Sequence, residues 1–462
     1  MIQVHSHDTI AAIATAPGNS GIGVIRISGD KATEIADSII VKKNGEKADI
    51  LGQKSHTVKY GFVSDGKDII DEVLVSVFKK PRSFTAEDTV EISCHGGTYI
   101  LRRVLSLIID KGARPADPGE FTKRAFMNGR IDLTEAEAVM DVISSGNEFA
   151  RRNSVSVLRG AVHERIVELR DKILHETAFI ESALDDPEHY SLDGYPEKLG
   201  EILTDIIASI KKMIEDSGTG RILKEGIRTA IAGKPNVGKS SILNLLTGEN
   251  KAIVTDIPGT TRDIVSSEVS LSGIPLILFD TAGIRDTEDT VEKIGVERSK
   301  ESIDLADLIL FTVDSSEDIT KEDKEIYDFI KANNKTCIIL KNKSDIGKEE
   351  ADTSYFTDPV IEFSAKNETG LSELKEKIEE FFLSGKVENT EDIYITNVRQ
   401  IHELEDTERS LSLVLGSIDA GMTEDFFTVD LMDAYTHLGN IIGEDTDEDL
   451  FNRIFSEFCM GK

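Results

Sequence analysis

The chain of 462 residues carries a formal net charge of −32 and three cysteines. An acidic excess of that size excludes a broad electrostatic grip on nucleic acid, which needs a basic face, and leaves any RNA contact to a local patch or a basic partner. Cys94, Cys337 and Cys459 stand far apart and odd in number, which excludes a CxxC metal pair and a disulfide framework and fits a reducing, cytoplasmic setting.

No basic start leads into an apolar run, and no apolar stretch reaches the ~18 residues of a membrane span, so neither a signal peptide nor a spanning helix is expected. The length suggests roughly two to four domains. Residues 1–130 are close to neutral and read as mixed α and β. Thr9–Ala16 and Gly23–Ser28 are predicted strands around a Pro-Gly-Asn-Ser-Gly loop, Lys31–Ile40 a helix, Asp71–Phe78 and Asp88–Ser93 alternating half-buried strands, and Tyr99–Ile109 a helix. The glycines at 18, 21 and 23 do not fit G-x-G-x-x-G, so a tight turn is expected rather than a dinucleotide site.

From Leu133 the period becomes helical and the chain acidic. Val155, Leu158, Val162, Ile166, Leu169 and Ile173 fall on one face of a single long helix, broken after Leu184 by Asp185-Asp-Pro-Glu188. Leu199–Ile214 carries a second stripe. Further stripes follow residue 386: Ile401, Leu404, Leu411, Leu415 and Ile418; Phe427, Leu431, Ala434, Leu438 and Ile442; then Leu450, Ile454 and Phe458. The simplest organisation is an N-terminal α+β domain over 1–130 and an all-α helical domain made of 131–222 and 386–462. An α/β domain over 223–385 is inserted between the two helical parts. A separate C-terminal three-helix domain is the alternative.

The inserted region alternates strand and helix, as a mostly parallel doubly covered sheet does. It opens on Gly233-Lys-Pro-Asn-Val-Gly-Lys-Ser240, placed after the apolar run Ile227–Ala232 and before a helical pattern, the context that gives a P-loop its meaning. Backbone N–H groups around Asn236, Val237, Gly238 and the helix start at Ser240 and Ser241 would wrap phosphates. Lys239 would reach the β- and γ-phosphates and Ser240 would ligate Mg²⁺. Four further signals follow in order. Thr255, Asp256, Ile257, Pro258, Gly259, Thr260 and Thr261 form a candidate switch segment whose Thr261 completes the Mg²⁺ shell. A strand over Pro275–Phe279 ends in Asp280, Thr281, Ala282 and Gly283, where a carboxylate meets Mg²⁺ through water and a glycine N–H senses the γ-phosphate. A strand over Thr336–Leu340 leads to Asn342, Lys343, Ser344 and Asp345, whose carboxylate matches the guanine N1–H and exocyclic amine. Val360–Phe363 leads to Ser364, Ala365 and Lys366, with the Ala365 N–H facing guanine O6. The ordered set points to a Ras-like GTPase domain of the P-loop NTPase class. Residue 284 is Ile, where Ras-type enzymes place a water-orienting Gln. Asp286, Glu288, Asp289 and Glu292 are candidate replacements. The Asn236 amide could hold a monovalent cation beside the phosphates, or be no more than a tolerated loop polar group.

These motifs carry a resemblance over essentially the full chain to the tRNA modification GTPase family MnmE, also called TrmE. It rests on the P-loop Gly-Lys-Pro-Asn-Val-Gly-Lys-Ser-Ser, Gly259-Thr-Thr-Arg-Asp263, Asp280-Thr-Ala-Gly-Ile-Arg285, Val291-Glu-Lys-Ile-Gly295 and the terminal Phe458-Cys-Met-Gly-Lys462. Gly21–Gly29, Phe84-Thr-Ala-Glu-Asp88, His95-Gly-Gly97 and Pro118–Phe126 match as well. The resemblance implies a homodimer formed through the N-terminal domain, which binds 5-formyl- or 5,10-methylene-tetrahydrofolate. It implies a heterotetramer-like complex with the FAD protein MnmG (GidA). With MnmG the enzyme adds an aminomethyl or carboxymethylaminomethyl group to C5 of the wobble uridine of certain tRNAs. It further implies potassium-dependent GTP hydrolysis through G-domain dimerisation. By the same likeness, Asn236, Thr255, Ile257 and Thr260 hold K⁺, and Glu292 orients the hydrolytic water. Arg26, Glu91, Arg130 and Lys462 contact the folate, with the arginines on its carboxylates and Glu91 on the pterin. Arg130 replaces a frequent Lys, Met460 a common Ile, and residues 185–190 are less acidic than in the family. Cys459 is a candidate nucleophile or a packed thiol. The competing reading is a GTP-controlled ribosome-assembly factor, which would carry a basic RNA-binding appendage; the flanks here are neutral or acidic.

Overall fold

The computed structural model describes residues 8–248, 266–271, 274–279, 303, 305–346, 353–382, 394–444, 454–456, 458 and 461. They form two compact units. One contains residues 1–140, 157–200 and 409–462; the other contains 141–156 and 201–408.

In the first unit a seven-stranded sheet runs in the order β3-β4-β5-β6-β2-β1-β7. Its strands are β1 (Ile10–Ile13), β2 (Gly23–Ser28), β3 (Ile40–Val41), β4 (Thr57–Ser64), β5 (Ile69–Phe78), β6 (Thr89–Cys94) and β7 (Arg114–Pro115). All neighbours are antiparallel except β1 and β7. Strict alternation makes the sheet one-sided: on β5, Val73, Val75 and Val77 are buried while Glu72 and Leu74 are exposed. The buried face is covered by α1 (Ala32–Ile39) and α2 (Thr98–Asp110), with Ile35, Ile39, Leu101, Val104 and Ile108 closing the core. Strand β4 is not among the sequence-predicted elements; it is secured by eight-residue pairing with β5. The first strand is shorter than predicted: residues 10–13 pair in register with β2, and beyond them Thr9 and Ala14 keep single backbone bonds to Arg114 and Val24.

Helix α3 (Glu120–Met127) leads into α4 (Leu133–Ser144). The expected continuous helix over 155–173 is two helices, α5 (Glu148–Leu158) and α6 (Ala161–Asp185). Gly160, at φ +91°, interrupts it: its N–H turns back to the Val157 carbonyl at 2.9 Å and the backbone leaves the helical region. Helix α7 (Tyr195–Glu225) is longer at both ends than the predicted Leu199–Ile214. Within the first unit α6 packs along α12 (Asp425–Ile442), which follows α11 (Val398–Asp419). At the C-terminal end Phe455 and Phe458 pack on Leu133 and Ala136.

The second unit is built on a six-stranded sheet of order β13-β12-β11-β8-β10-β9. Strands β8 (Ile227–Ala232), β10 (Ile274–Phe279), β11 (Leu308–Asp314), β12 (Thr336–Asn342) and β13 (Val360–Glu362) are parallel, and β9 (Ser266–Leu271) joins β10 antiparallel. Every residue of β11 is buried, as a central strand covered on both faces requires. One apolar layer joins Leu308, Leu310 and Leu340 to Ile242 and Leu246 of α8 (Lys239–Gly248) and to Leu374 and Ile378 of α10 (Leu371–Phe382). The other joins Ile309, Phe311 and Ile339 to Tyr327 and Ile330 of α9 (Lys321–Ala332), whose start is fixed by a Thr320–Asp323 capping box.

Candidate nucleotide and cofactor sites

In an open parallel sheet, ligands collect beyond the carboxyl ends of the strands. The turn between β8 and α8 stands there and is locked by steric necessity. A Cβ on Gly233 would lie 2.3 Å from the Thr312 carbonyl oxygen, and one on Gly238 would lie 2.2 Å from Asn342 Nδ2. Both glycines have positive φ, as does Asn236 at +64°. Lys239 Nζ donates to the Gly233 and Lys234 carbonyls at 2.6 and 2.8 Å. Its burial lowers its pKa. Ser240 and Ser241 sit exposed at the start of α8, where orphan N–H groups favour anions.

Asn342 joins three separate segments. Its Nδ2 donates to the Val237 carbonyl in the P-loop at 2.8 Å, and its Oδ1 accepts from the Ala365 N–H at 3.1 Å. Lys343 turns through φ +64° and its Nζ bonds Asp314 Oδ2 at 2.6 Å. Burial would raise the Asp314 pKa, but Lys343 and Ser316 outweigh it and hold the carboxyl below its usual range. Asp345 accepts from the Ser364 hydroxyl at 2.8 Å, with the Lys366 ammonium 3.8 Å away. The structure therefore brings Asn236–Ser241, Asn342–Asp345 and Ser364–Lys366 to one edge of one sheet. The switch segment Thr255–Thr261, the stretch Asp280–Gly283 and Glu292 lie outside the described residues. So does part of each expected ion site, since Thr261, Thr255, Ile257 and Thr260 belong to that segment.

A second constellation is built in the first unit. Arg26 on β2 stands directly opposite Glu91 on β6. The guanidinium holds one carboxylate oxygen through Nε and Nη2, both at 2.9 Å. The carboxylate-binding role expected for Arg26 thus meets a guanidinium already paired with Glu91. Arg26 also lies over the Phe84 and Phe121 rings, 5.2 and 5.5 Å from their centroids, and Arg130 lies over Phe84 at 5.1 Å. Phe84 is thus flanked by two cations. Arg26 Nη1 donates to the Gly461 carbonyl at 3.4 Å. Gly461 adopts φ +88°, and a Cβ there would lie 2.5 Å from the Ile13 carbonyl oxygen. This contact brings the chain's C-terminal end to the Arg26–Glu91 pair; Cys459 and Lys462 themselves lie outside the described residues. Sequence reasoning missed Phe84, Phe121 and the Gly461 backbone. The available signal was the Phe84-Thr-Ala-Glu-Asp motif, which names the residue but not its ring's role.

Both described free thiols are buried, and burial pushes that of Cys94 up to about 12 and raises that of Cys337, so neither is a nucleophile at neutral pH. Among the described residues no helix is long and apolar enough to cross a membrane, and no group of three His, Cys, Asp or Glu could hold a metal.

Comparison with known proteins divides the chain near residue 130. The family model for the MnmE helical domain matches residues 133–459, and that for the GTP-binding protein TrmE N-terminus matches residues 9–130. The tRNA modification GTPase MnmE of Lachnoclostridium phytofermentans is 50% identical over 458 residues, which is 98% of this chain and 99% of the relative. That of Clostridioides difficile is 45% identical over 463 residues, with 98% and 99% covered. That of Thermoanaerobacter pseudethanolicus is 46% identical over 461 residues, again with 98% and 99% covered.

Proposed function

The chain belongs to the MnmE family of tRNA modification GTPases, and from that membership we propose that it hydrolyses GTP in the course of modifying C5 of the tRNA wobble uridine. The observation that carries the nucleotide half of this reading is Asn342. Its amide ties the phosphate loop at Val237 to the Ser364–Lys366 segment through the Ala365 N–H, so one side chain sets the loop expected to hold phosphates against the segment expected to meet guanine.

In this reading Lys239, Ser240 and the loop N–H groups hold the phosphates, and Asp345 and Ala365 read guanine. The hydroxyl of Ser240, and that of Thr261, would hold Mg²⁺. The amide oxygen of Asn236 would hold K⁺ with Thr255, Ile257 and Thr260. These ions would supply positive charge where negative charge develops on the transferred phosphoryl group. The positive φ of Gly233, Asn236 and Gly238 is the turn geometry that lets successive loop N–H groups face one anion, which fits this donor set. Glu292 orients the attacking water in place of the missing Gln.

The Arg26–Glu91–Phe84–Arg130 cage, with Lys462, is the site for a tetrahydrofolate one-carbon donor. The planar pyrimidinone ring of the pterin suits the guanidinium faces, Glu91 suits its N–H donors, and Arg130 suits the folate carboxylates. The domain plan is 1–130, a helical domain of 131–222 with 386–462, and the inserted G domain 223–385. The working assembly is a homodimer joined by MnmG in the cytoplasm. Nucleoside mass spectrometry of wobble uridines in cells lacking the gene tests the whole reading. Loss of the C5-modified nucleosides is expected, and an unchanged nucleoside profile would overturn it.

A further inference from the structure

Helix α2 turns two unlike faces outward and inward. Inward, Leu101, Val104 and Ile108 enter the core. On the opposite side Tyr99, Arg102 and Arg103 are spaced i, i+3 and i+4 and share one face. Tyr99 is 80% exposed, the highest value of any large hydrophobic side chain among the described residues. Arg102 is exposed, and Arg103 Nη2 bonds Asp65 Oδ2 at 2.9 Å, bracing the β4–β5 turn against the helix. One turn earlier, His95 is held by both oxygens of buried Asp71. Its backbone N–H meets Oδ2 at 2.8 Å and its Nδ1 meets Oδ1 at 2.6 Å. That pairing puts the proton on Nδ1 and leaves Nε2 for another partner.

An aromatic ring flanked by guanidiniums on a rigid helix is the pairing that unstacked RNA bases and their phosphates require. The charge distribution admits the same occupant. The chain carries −32 overall, while residues 1–130 carry 18 Lys and Arg against 16 Asp and Glu, so repulsion of a polyanion is weakest in this region and attraction is local to Arg102 and to Arg103, which is shared with Asp65. A second copy of the same face would set arginine against arginine. We propose that Tyr99, Arg102 and Arg103 of α2, with His95, form the surface on which this chain holds the unpaired bases of an RNA loop. The proposal rests on the tRNA reading above and assigns it a place.

The test titrates full-length protein with a fluorescently labelled RNA hairpin having the sequence of a tRNA anticodon stem and loop. Tyr99→Ala is expected to weaken binding about tenfold, with Tyr99→Phe restoring it. Arg102→Gln is expected to reduce the slope of log affinity against log salt by about 0.7, and the Arg102→Gln/Arg103→Gln pair by about 1.4. GTP hydrolysis and thermal stability of Tyr99→Ala and Arg102→Gln stay at wild-type levels. Wild-type RNA affinity in Tyr99→Ala and in the double variant overturns the proposal. So does a fall in sedimentation mass at unchanged RNA affinity, which would make the face a protein interface. The same variants are expressed in cells lacking the gene. A deletion that leaves wobble uridines fully modified overturns the tRNA reading itself. A deletion phenotype fully rescued by Tyr99→Ala overturns only the α2 surface.

Discussion

Gly238 shows how closely the phosphate loop is specified. It holds φ +100°, and the nearest atom to an added Cβ is the Asn342 amide nitrogen that donates to Val237. Gly238→Ala therefore combines backbone strain of about 1–3 kcal/mol with displacement of a buried amide, worth about 1 kcal/mol more. The expected result is a thermal transition lowered by several degrees and GTP affinity reduced at least about tenfold, read by calorimetry and by titration with a fluorescent GTP analogue. Asp345 makes a chemical prediction instead. Asp345→Asn keeps an oxygen for the Ser364 hydroxyl but replaces a carboxylate acceptor by an amide donor. Guanine loses a partner for its N1–H and amine, whereas xanthine, with a carbonyl at C2, gains one. Competition titration is expected to show preference moving from GTP to XTP; retained GTP preference would refute the base-reading role. Both residues were legible in the sequence because their motifs fix spacing. The Asn342 bridge was not, because it depends on how β12 and the P-loop come side by side.

At the scale of elements, α3 and β7 are tied by an ionic cluster that no periodicity announces. Arg114 bonds Glu120 through Nη1 at 2.8 Å and Nη2 at 2.5 Å, and bonds Asp8 through Nε at 2.5 Å. Arg124, with its side chain only 5% exposed, reaches Asp8 at 2.6 Å, Glu120 at 3.1 Å and Glu87 at 3.2 Å. Removing one member strands the others in a low-dielectric site, so Arg124→Ala is expected to cost about 3 kcal/mol or more in urea unfolding of the full chain. Burial alone would raise the pKa values of Asp8 and Glu120. The two guanidiniums outweigh it, and both carboxyls lie below their ordinary 3.8 and 4.5. As pH falls through those ordinary values the unfolded chain takes up protons first. The cluster's contribution is therefore complete above about pH 5 and lost as pH falls through the lower folded-state values. Circular dichroism against pH should show the Arg124→Ala variant, which keeps Arg114 on Asp8 and Glu120 but has lost the second guanidinium, with a somewhat shallower acid dependence than the wild type. Periodicity found β2, β5, β6, α1 and α2 because their alternation is strong. It missed β4, whose register is supplied by β5, and it ran α5 into α6 because an unbroken 3–4 spacing is blind to one glycine at φ +91°.

For the whole molecule, the hydrolytic mechanism must be assembled from what the chain has and lacks. Ile284 follows the Asp-Thr-Ala-Gly stretch, and an apolar side chain cannot orient water. Asn236 sits in the P-loop at φ +64° with an exposed side chain. An amide oxygen there can serve a monovalent cation, whose charge would do the work an arginine finger does elsewhere. Two separable outcomes follow. Asn236→Ala should keep GTP affinity near wild type, because Lys239 and the loop backbone still hold the phosphates, yet lose any advantage of K⁺ over Na⁺ in turnover. Glu292→Ala should also keep binding but lose hydrolysis in either salt. Single-turnover phosphate release in matched K⁺ and Na⁺ buffers distinguishes them. Equal wild-type rates in the two salts would remove the cation from the mechanism while leaving Glu292 in it. An unchanged rate in Glu292→Ala would instead return the water-orienting role to Asp286, Glu288 or Asp289, the other carboxylates that follow Ile284 in the chain.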